Sequence, residues 1–285
     1  MPEAPKLSDI IPDPKVEKIL SGFQFTEGPL WVDGRLLFSD IPASTIYRWS
    51  PGDKHAEVYR RPSGRSNGLT LDRRGRLIAC EHDRRLTRTE RDGTLKVLAE
   101  SYDSRRLNSP NDVVVARNGA IYFTDPPYGL NNKLEGKELP YQGVYRIGVS
   151  GKLTLLDDTF DRPNGLAFSP DESNLYVDDT ARRHIRVFDV QRDGSIRNGR
   201  IFAELKGDKP GNPDGMKVDV YGNIFCTGSG GVWVIDPSGE PLGVVETPEV
   251  SSNVAWGDAD FKSLYVTAQT SVYKLRTMTG GVPFT

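Results

Sequence analysis

Cysteine is scarce in this chain of 285 residues, which contains only Cys80 and Cys226. Two cysteines do not provide the disulfide framework that holds small secreted domains together. Both lie in apolar runs, LIAC and NIFC, where a small buried hydrophobic side chain is expected.

The chain also lacks an excess of charge of one sign and has no long apolar run. Its 37 Lys and Arg nearly balance its 39 Asp and Glu, so it shows no electrostatic footprint for a nucleic acid or an anionic membrane. No segment approaches the roughly 20 apolar residues of a membrane span, and the N-terminus lacks a basic region followed by an apolar stretch. We therefore expect neither a nucleic acid nor a membrane as a partner. The expected location is cytoplasmic, or periplasmic if a signal peptide has been removed.

What the chain does contain is one short pattern that recurs six times. In each copy a polar residue precedes an apolar strand, a tight turn follows, and a second apolar strand ends the copy. The copies occupy residues 27–40, 67–81, 111–125, 164–179, 214–228 and 253–268. The apolar residues alternate or form short blocks between the 29 Gly and 20 Pro, which predicts β-hairpins and not helices.

The spacing of these copies predicts a propeller. Successive copies open 39 to 53 residues apart, near the length of a four-stranded blade, and further strands such as TIYRWS and AEVYRR follow in most of them. The predicted fold is all-β, a six-bladed β-propeller formed by residues 16–285 as a single domain after an N-terminal extension, 1–15. Residues 16–23 resemble the outer strand that the last copy lacks, so their pairing with 253–277 would close the ring.

Polar residues open all six copies, at Glu27, Asn67, Asn111, Asn164, Asp214 and Asn253. The first strand of each propeller blade lines the axis, so these side chains should converge at the mouth of the channel. Turn geometry explains Asn-Gly and Asp-Gly but not Glu27 or Asn111. Converging carboxylates repel one another unless a cation lies between them, and carboxylate and amide oxygens suit Ca²⁺ or Mg²⁺. The expected cofactor is one divalent metal ion, Ca²⁺ in the first place, with Zn²⁺, Mg²⁺ or Mn²⁺ as alternatives.

Four motifs in this order, EGPLW, SPNDVVVARNGAIYFTDPPYG, RPNGLAFSPD and NPDGMKVD, resemble the SMP-30/gluconolactonase (regucalcin) family of metal-dependent lactonases. The resemblance covers about residues 16–276 and implies a catalytic metal ion bound by Glu27, Asn111, Asn164 and Asp214. The SPND and DPPYG segments resemble those of the bacterial gluconolactonase branch more closely. Animal members have a sugar-binding Arg where this chain has Ser109, so that contact does not carry over.

Asn67, His82, Ser109 and Tyr128 are the candidates for substrate contact. His82 follows Glu81 at the end of a second strand, where it could bind a sugar hydroxyl or move a proton near neutral pH, or else occupy a solvated turn. Tyr128 belongs to an insertion, 126–143, that is expected to act as a lid over the site.

Other conspicuous side chains are assigned to the scaffold. The second strands end in Asp40, Glu81, Asp125, Asp179, Gly228 and Ala268, whose carboxylates are expected to bind turn amides. We expect His55 and His184 to lie at the surface. We expect the four tryptophans to pack within the blades: Trp31, Trp49, Trp233 and Trp256.

The functional hypothesis is a metal-dependent lactonase that hydrolyses a small sugar lactone, with Asp214 as general base or as the residue that orients the water. One alternative keeps the metal site but hydrolyses an organophosphate by attack of Asp214 on phosphorus. Another is a non-catalytic propeller, either a calcium-binding protein or a scaffold. No GxSxG elbow supports a serine hydrolase. The sequence leaves open which lactone is the substrate, which metal the cell uses, the oligomeric state, and whether Asp214 acts as base or nucleophile.

Overall fold

Six four-stranded antiparallel sheets surround a central channel as the blades of a β-propeller, which confirms the predicted fold. The computed structural model describes residues 6–130 and 134–282. Within these residues the chain begins with one helical turn, α1 (Leu7–Ile10), and the strand β1 (Glu17–Ser21).

In blades 1 to 5 the first strand in chain order lies at the channel and the later strands follow outward. Blade 1 comprises β2 (Thr26–Val32), β3 (Arg35–Asp40), β4 (Thr45–Trp49) and β5 (Glu57–Arg60). Blade 2 comprises β6 (Ser66–Leu71), β7 (Leu77–Glu81), β8 (Arg85–Thr89) and β9 (Leu95–Ala99). A small hairpin of β10 (Ser101–Tyr102) and β11 (Arg105–Arg106) separates it from blade 3, which comprises β12 (Val113–Val115), β13 (Ile121–Asp125), β14 (Gln142–Ile147) and β15 (Leu153–Phe160).

The remaining blades follow the same plan. Blade 4 comprises β16 (Pro163–Phe168), β17 (Asn174–Asp179), β18 (His184–Val190) and β19 (Ile196–Glu204). Blade 5 comprises β20 (Met216–Val218), β21 (Ile224–Gly228), β22 (Gly231–Ile235) and β23 (Pro241–Glu246). Blade 6 comprises β24 (Ser251–Gly257), β25 (Ser263–Ala268), β26 (Ser271–Arg276) and, as its outer strand, β1.

The N-terminal strand closes the ring, as predicted. β1 pairs antiparallel with β26, and Gly22 and Phe23 continue the pairing by donating backbone hydrogen bonds to Thr270 O at 3.1 and 3.2 Å. The preceding segment also belongs to the packed structure, because Ile10 and Ile11 are buried between blades 5 and 6. The two chain ends are therefore joined in one blade.

The hydrophobic core consists of six clusters, one between each pair of adjacent blades. Second strands such as β3, β7 and β13 are buried on both faces, because a neighbouring blade covers each side. Cys80 and Cys226 are free thiols inside two of these clusters, as expected. All four tryptophans also pack in or against the clusters, which confirms their assignment to blade packing.

Two histidines assigned to the surface differ in the structure. His55 is exposed. His184 is only 8% exposed, so its surface assignment was wrong. The charged neighbours Arg182 and Arg183 belong to the turn before β18, whereas His184 is the first residue of the strand and faces inward.

Glycines beside the opening residues let the blades approach closely near the axis. The Gly165 N–H donates to Asp214 O of the next blade at 2.9 Å, and a Cβ added at Gly165 would lie 2.2 Å from that oxygen. At Gly28, with φ +55°, an added Cβ would lie 2.1 Å from Asn67 O. Close approach of neighbouring strands therefore accounts for the glycine after the opening residue in these copies.

Candidate functional site

The six opening residues converge at one end of the channel. Five of them line a single cavity of about 330 Å³: Glu27, Asn67, Asn111, Asn164 and Asp214. The sixth, Asn253, donates a hydrogen bond from Nδ2 to Glu27 Oε2 at 3.0 Å. Five of the six are buried, and Asp214 is partly exposed, because the inner strands pack side by side around the axis.

The three asparagines on one side of the cavity form a chain of amide contacts. Asn67 donates from Nδ2 to Asn111 Oδ1, and Asn111 donates to Asn164 Oδ1. Asn164 in turn donates to Thr180 Oγ1 at 3.0 Å, and Thr180 donates to the carbonyl oxygen of Pro213 at 2.8 Å. The amides are thus fixed against one another and against the backbone of blade 5.

The two carboxyl groups face each other on the other side. Glu27 Oε2 accepts hydrogen bonds from Gly28 N at 2.6 Å and from Asn253. The carboxyl groups of Glu27 and Asp214 lie near each other and repel when both are ionised. Burial, with repulsion from neighbouring carboxyl groups, raises the pKa of Glu27 to about 7 and that of Asp214 well above its usual range.

This donor set fits a hard divalent cation. Two carboxyl groups and two amide oxygens meet at the cavity floor, and a dication between the carboxylates would relieve their mutual repulsion. Among residues 6–130 and 134–282, no three His, Cys, Asp or Glu side chains group as metal ligands. Any ion at this floor would therefore depend on the amide oxygens of Asn111 and Asn164.

Two further acids and one amine lie nearby in the channel. Burial raises the pKa of Asp112 above its usual range and that of Asp178 well above it. The positive charge of Lys217 partly offsets the negative charge of Asp112, and Lys217 Nζ donates a hydrogen bond to Met216 O at 3.0 Å. Carboxyl groups therefore outnumber cationic groups around Glu27 and Asp214.

The metal-free protein is expected to lose stability as the pH rises from about 5 to 7.5. The folded state holds protons on Glu27, Asp214 and their acidic neighbours that the unfolded chain releases near pH 4. This contribution is complete below the unfolded pKa and is lost as the pH passes the folded pKa, near 7 for Glu27. Melting temperatures measured with a chelator across this range test the expectation. Glu27→Gln should flatten the decline, and a wild-type melting temperature that rises from pH 5 to 7.5 would contradict it.

His82 lies in the cavity wall beside Asn67. It is 6% exposed, and its Nε2 lies 3.3 Å from Asn67 Nδ2, so it does not occupy a solvated turn. Burial lowers the pKa of His82 to about 4, and the imidazole is therefore neutral at pH 7. This favours a hydrogen-bonding role over proton transfer near neutral pH.

Ser109 is used by the scaffold and does not line the cavity. Its hydroxyl donates to Pro126 O at 2.6 Å and accepts from Gly129 N at 2.8 Å, so both bonds hold the start of the insertion in place. Its prediction as a substrate contact is not supported by this placement. Tyr128, which lies between Pro126 and Gly129 in the sequence, does line the cavity. Burial raises the pKa of its hydroxyl, which therefore remains a hydrogen-bond donor at neutral pH.

Among the described residues of the predicted lid, Tyr128 alone lines the cavity. Residues 131–133 lie outside the described residues. Arg84 donates to Gly136 O at 2.7 Å, and Leu139 is buried in the cluster between blades 2 and 3. Tyr141 packs against the same cluster, so the second half of the insertion covers these blades and not the cavity.

Three of the four carboxylates that end second strands bind backbone amides of the preceding loops, as predicted. Asp40 accepts from Gln24 N and Phe25 N at 3.0 and 3.1 Å. Asp125 and Asp179 bind the equivalent pairs of amides before β12 and β16. Glu81 differs, because it accepts hydrogen bonds from three side chains: Arg60, Arg85 and Thr87.

Four lining residues were not predicted: Phe25, Ile41, Pro42 and Thr180. Ile41 and Thr180 directly follow the carboxylates Asp40 and Asp179, as His82 follows Glu81. The alignment of the copies that identified His82 could therefore also have identified Ile41 and Thr180 as lining residues.

The fold and the site together define a β-propeller with an oxygen-lined cavity at one channel mouth. Residues 25–270 match the family described as SMP-30/Gluconolactonase/LRE-like region, and the chain belongs to this family. No helix of the described residues has the length and hydrophobicity needed to cross a membrane.

Three relatives illustrate the similarity. The chain is 35% identical to a protein named gluconolactonase from Zymomonas mobilis, over 93% of this chain and 82% of that protein. It is 29% identical to a pentonolactonase from Haloferax volcanii, over 85% of this chain and 80% of that protein. The solved structure of a gluconolactonase from Xanthomonas campestris superposes with a TM-score of 0.84 at 36% identity, covering 95% of this chain and 91% of that one.

Proposed function

We propose that this protein is a metal-dependent lactonase that opens a sugar lactone, such as δ-gluconolactone, to its hydroxy acid. The observation that carries the proposal is the convergence of Glu27, Asn111, Asn164 and Asp214 on the floor of one cavity. Family membership and the lactonases among the relatives support lactone hydrolysis as the reaction.

The four floor residues would hold one ion, with Ca²⁺ the best match to an all-oxygen site. When bound, the ion supplies Lewis-acid polarisation of the lactone carbonyl and lowers the pKa of a water molecule. Asn253 and Gly28 both bind Oε2 of Glu27, which leaves Oε1 for the ion. Such supporting hydrogen bonds hold a ligand in its binding orientation.

The carboxylate of Asp214 acts as the general base. Water adds to the lactone carbonyl carbon as Asp214 accepts its proton, and cleavage of the ring C–O bond returns a proton to the leaving oxygen. The product is a hydroxy acid. Asn67, His82 and Tyr128 line the cavity near these groups and are positioned to bind substrate hydroxyls.

Removal of the metal is expected to abolish hydrolysis and to destabilise the protein at pH 7.5. At 100 times its dissociation constant, an ion that binds only the folded state adds about 2.7 kcal/mol of stability. For a domain of this size, that corresponds to roughly 5 °C or more in melting temperature. Chelator-treated protein should recover both activity and melting temperature with Ca²⁺, and Mg²⁺, Mn²⁺ and Zn²⁺ are compared in parallel.

The variant pair Glu27→Gln and Asp92→Asn separates the site from the rest of the surface. Asp92 lies in an exposed turn, so its variant should behave as wild type, whereas Glu27→Gln should lose most of the Ca²⁺-induced stabilisation. A phosphotriester assayed beside δ-gluconolactone tests the organophosphate alternative. Full lactonase activity in metal-free protein would overturn the metal role, and bound Ca²⁺ without hydrolysis of any lactone would favour a non-catalytic protein.

A further inference from the structure

The two sides of the cavity differ in chemistry. Blades 2 to 4 contribute polar side chains: Asn67, His82, Asn111, Tyr128, Asn164 and Thr180. On the blade 1 side, above Glu27, the wall consists of Phe25, Ile41 and Pro42. We call these three residues the apolar wall.

Backbone hydrogen bonds hold the apolar wall in place. The Phe25 N–H donates a hydrogen bond to the Asp40 carboxylate, and the Ile41 N–H donates to Phe25 O at 3.1 Å. Phe25 is 36% exposed, and Pro42 is also exposed. The wall is therefore open to the solvent at Phe25 and Pro42.

Such a wall is poorly suited to a substrate that has hydroxyls on every side. A hydroxyl turned toward Phe25 and Ile41 would lose its water partners and find no side-chain partner in exchange. An alkyl group in the same place is removed from water, which favours binding by roughly three- to fourfold per buried methylene.

We propose that the same site also hydrolyses alkyl-substituted lactones, with the alkyl chain lying along the apolar wall. This inference rests on the proposed function, since the carbonyl end occupies the same oxygen-lined floor. Water adds to the carbonyl carbon, the ring C–O bond breaks, and the proton passes by way of Asp214 to the leaving oxygen. The product is an alkyl-substituted hydroxy acid, and no other reactant is needed.

The test compares unsubstituted δ-valerolactone with δ-decalactone, which is the same ring with a pentyl chain, and with δ-gluconolactone. Wild-type holoenzyme should have a kcat/KM for δ-decalactone at least tenfold above that for δ-valerolactone. Phe25→Ser should lower kcat/KM for δ-decalactone at least tenfold and that for δ-gluconolactone at most threefold. Phe25→Leu keeps an apolar surface and should retain most of the preference for the alkyl chain.

Melting temperatures of both Phe25 variants, and of Tyr221→Ser as a control at a 72% exposed aromatic residue away from the cavity, check that folding is intact. Ile41→Ser provides a second test if Phe25→Ser does not fold. Hydrolysis of δ-gluconolactone without a preference for δ-decalactone over δ-valerolactone would overturn this inference alone. Equal losses on both substrates in Phe25→Ser would also overturn it. A wild-type enzyme inactive on all three lactones would overturn the proposed function itself.

Discussion

Asp214→Asn is expected to lower the turnover number for δ-gluconolactone by about 10²- to 10⁴-fold, the range typical of a lost general base. Asparagine keeps an oxygen for the ion, as Asn111 and Asn164 do, but its amide cannot accept the proton of the attacking water. Ca²⁺ binding should weaken and still be measurable by calorimetry. The control is Asp260→Asn, a carboxylate that is half exposed and paired with Arg276 on the surface.

Two outcomes would remove Asp214 from this role. One is a variant that binds Ca²⁺ and turns over at a near-normal rate. The other is a covalent intermediate, a mixed anhydride formed when Asp214 attacks the lactone carbonyl and the ring C–O bond breaks. In a single turnover in ¹⁸O-labelled water, direct attack by water labels only the product, whereas water that adds to the Asp214 carbonyl of the anhydride labels Asp214 and leaves the first product unlabelled.

Deleting residues 1–21 is expected to remove most of the folding stability. The deletion exposes the edge of β26 and removes Ile10, Ile11 and Leu20, which are at most 6% exposed. Each buried side chain of this kind is worth about 1.5–3 kcal/mol, and whole domains are stable by only about 5–15 kcal/mol. The truncated protein should aggregate through the open edge or melt far below the full chain.

A peptide that covers residues 6–21 should partly rescue the truncated protein, because it can restore the fourth strand of blade 6. The matched control is a peptide of the same composition in scrambled order, which should not rescue the truncated protein. A protein that starts at Gly22 and remains monomeric with the melting temperature of the full chain would show that ring closure contributes little.

The fold was predictable because propeller blades repeat. Each copy in the sequence has the same polar opening, turn and apolar strands, so six copies specify six blades and identify the residues that converge on the axis. The unpaired outer strand at residues 16–23 fixed the closure for the same reason. Burial of Ile10 and Ile11 was not predictable, because this segment has no counterpart in the other copies.

The site was predictable where it follows the repeat and not where it depends on packing between blades. The floor residues occupy equivalent positions, whereas the apolar wall depends on how Asp40 turns the loop before β2. Ser109 occupies an equivalent position to Phe25, two residues before the opening residue, yet its hydroxyl is engaged by Pro126 and Gly129. Asp178 stands where other second strands have Ser39 or Thr124, and only the structure shows its proximity to Asp214.

The central claim is that one metal ion is held by Glu27, Asn111, Asn164 and Asp214. An anomalous difference map from a crystal grown with Ca²⁺, recorded at a long wavelength, tests it most directly. The account predicts a single strong peak at the channel mouth, with an oxygen of each of the four side chains about 2.3–2.6 Å away. A map with no peak there at millimolar Ca²⁺, or a peak bound by other residues, would contradict it.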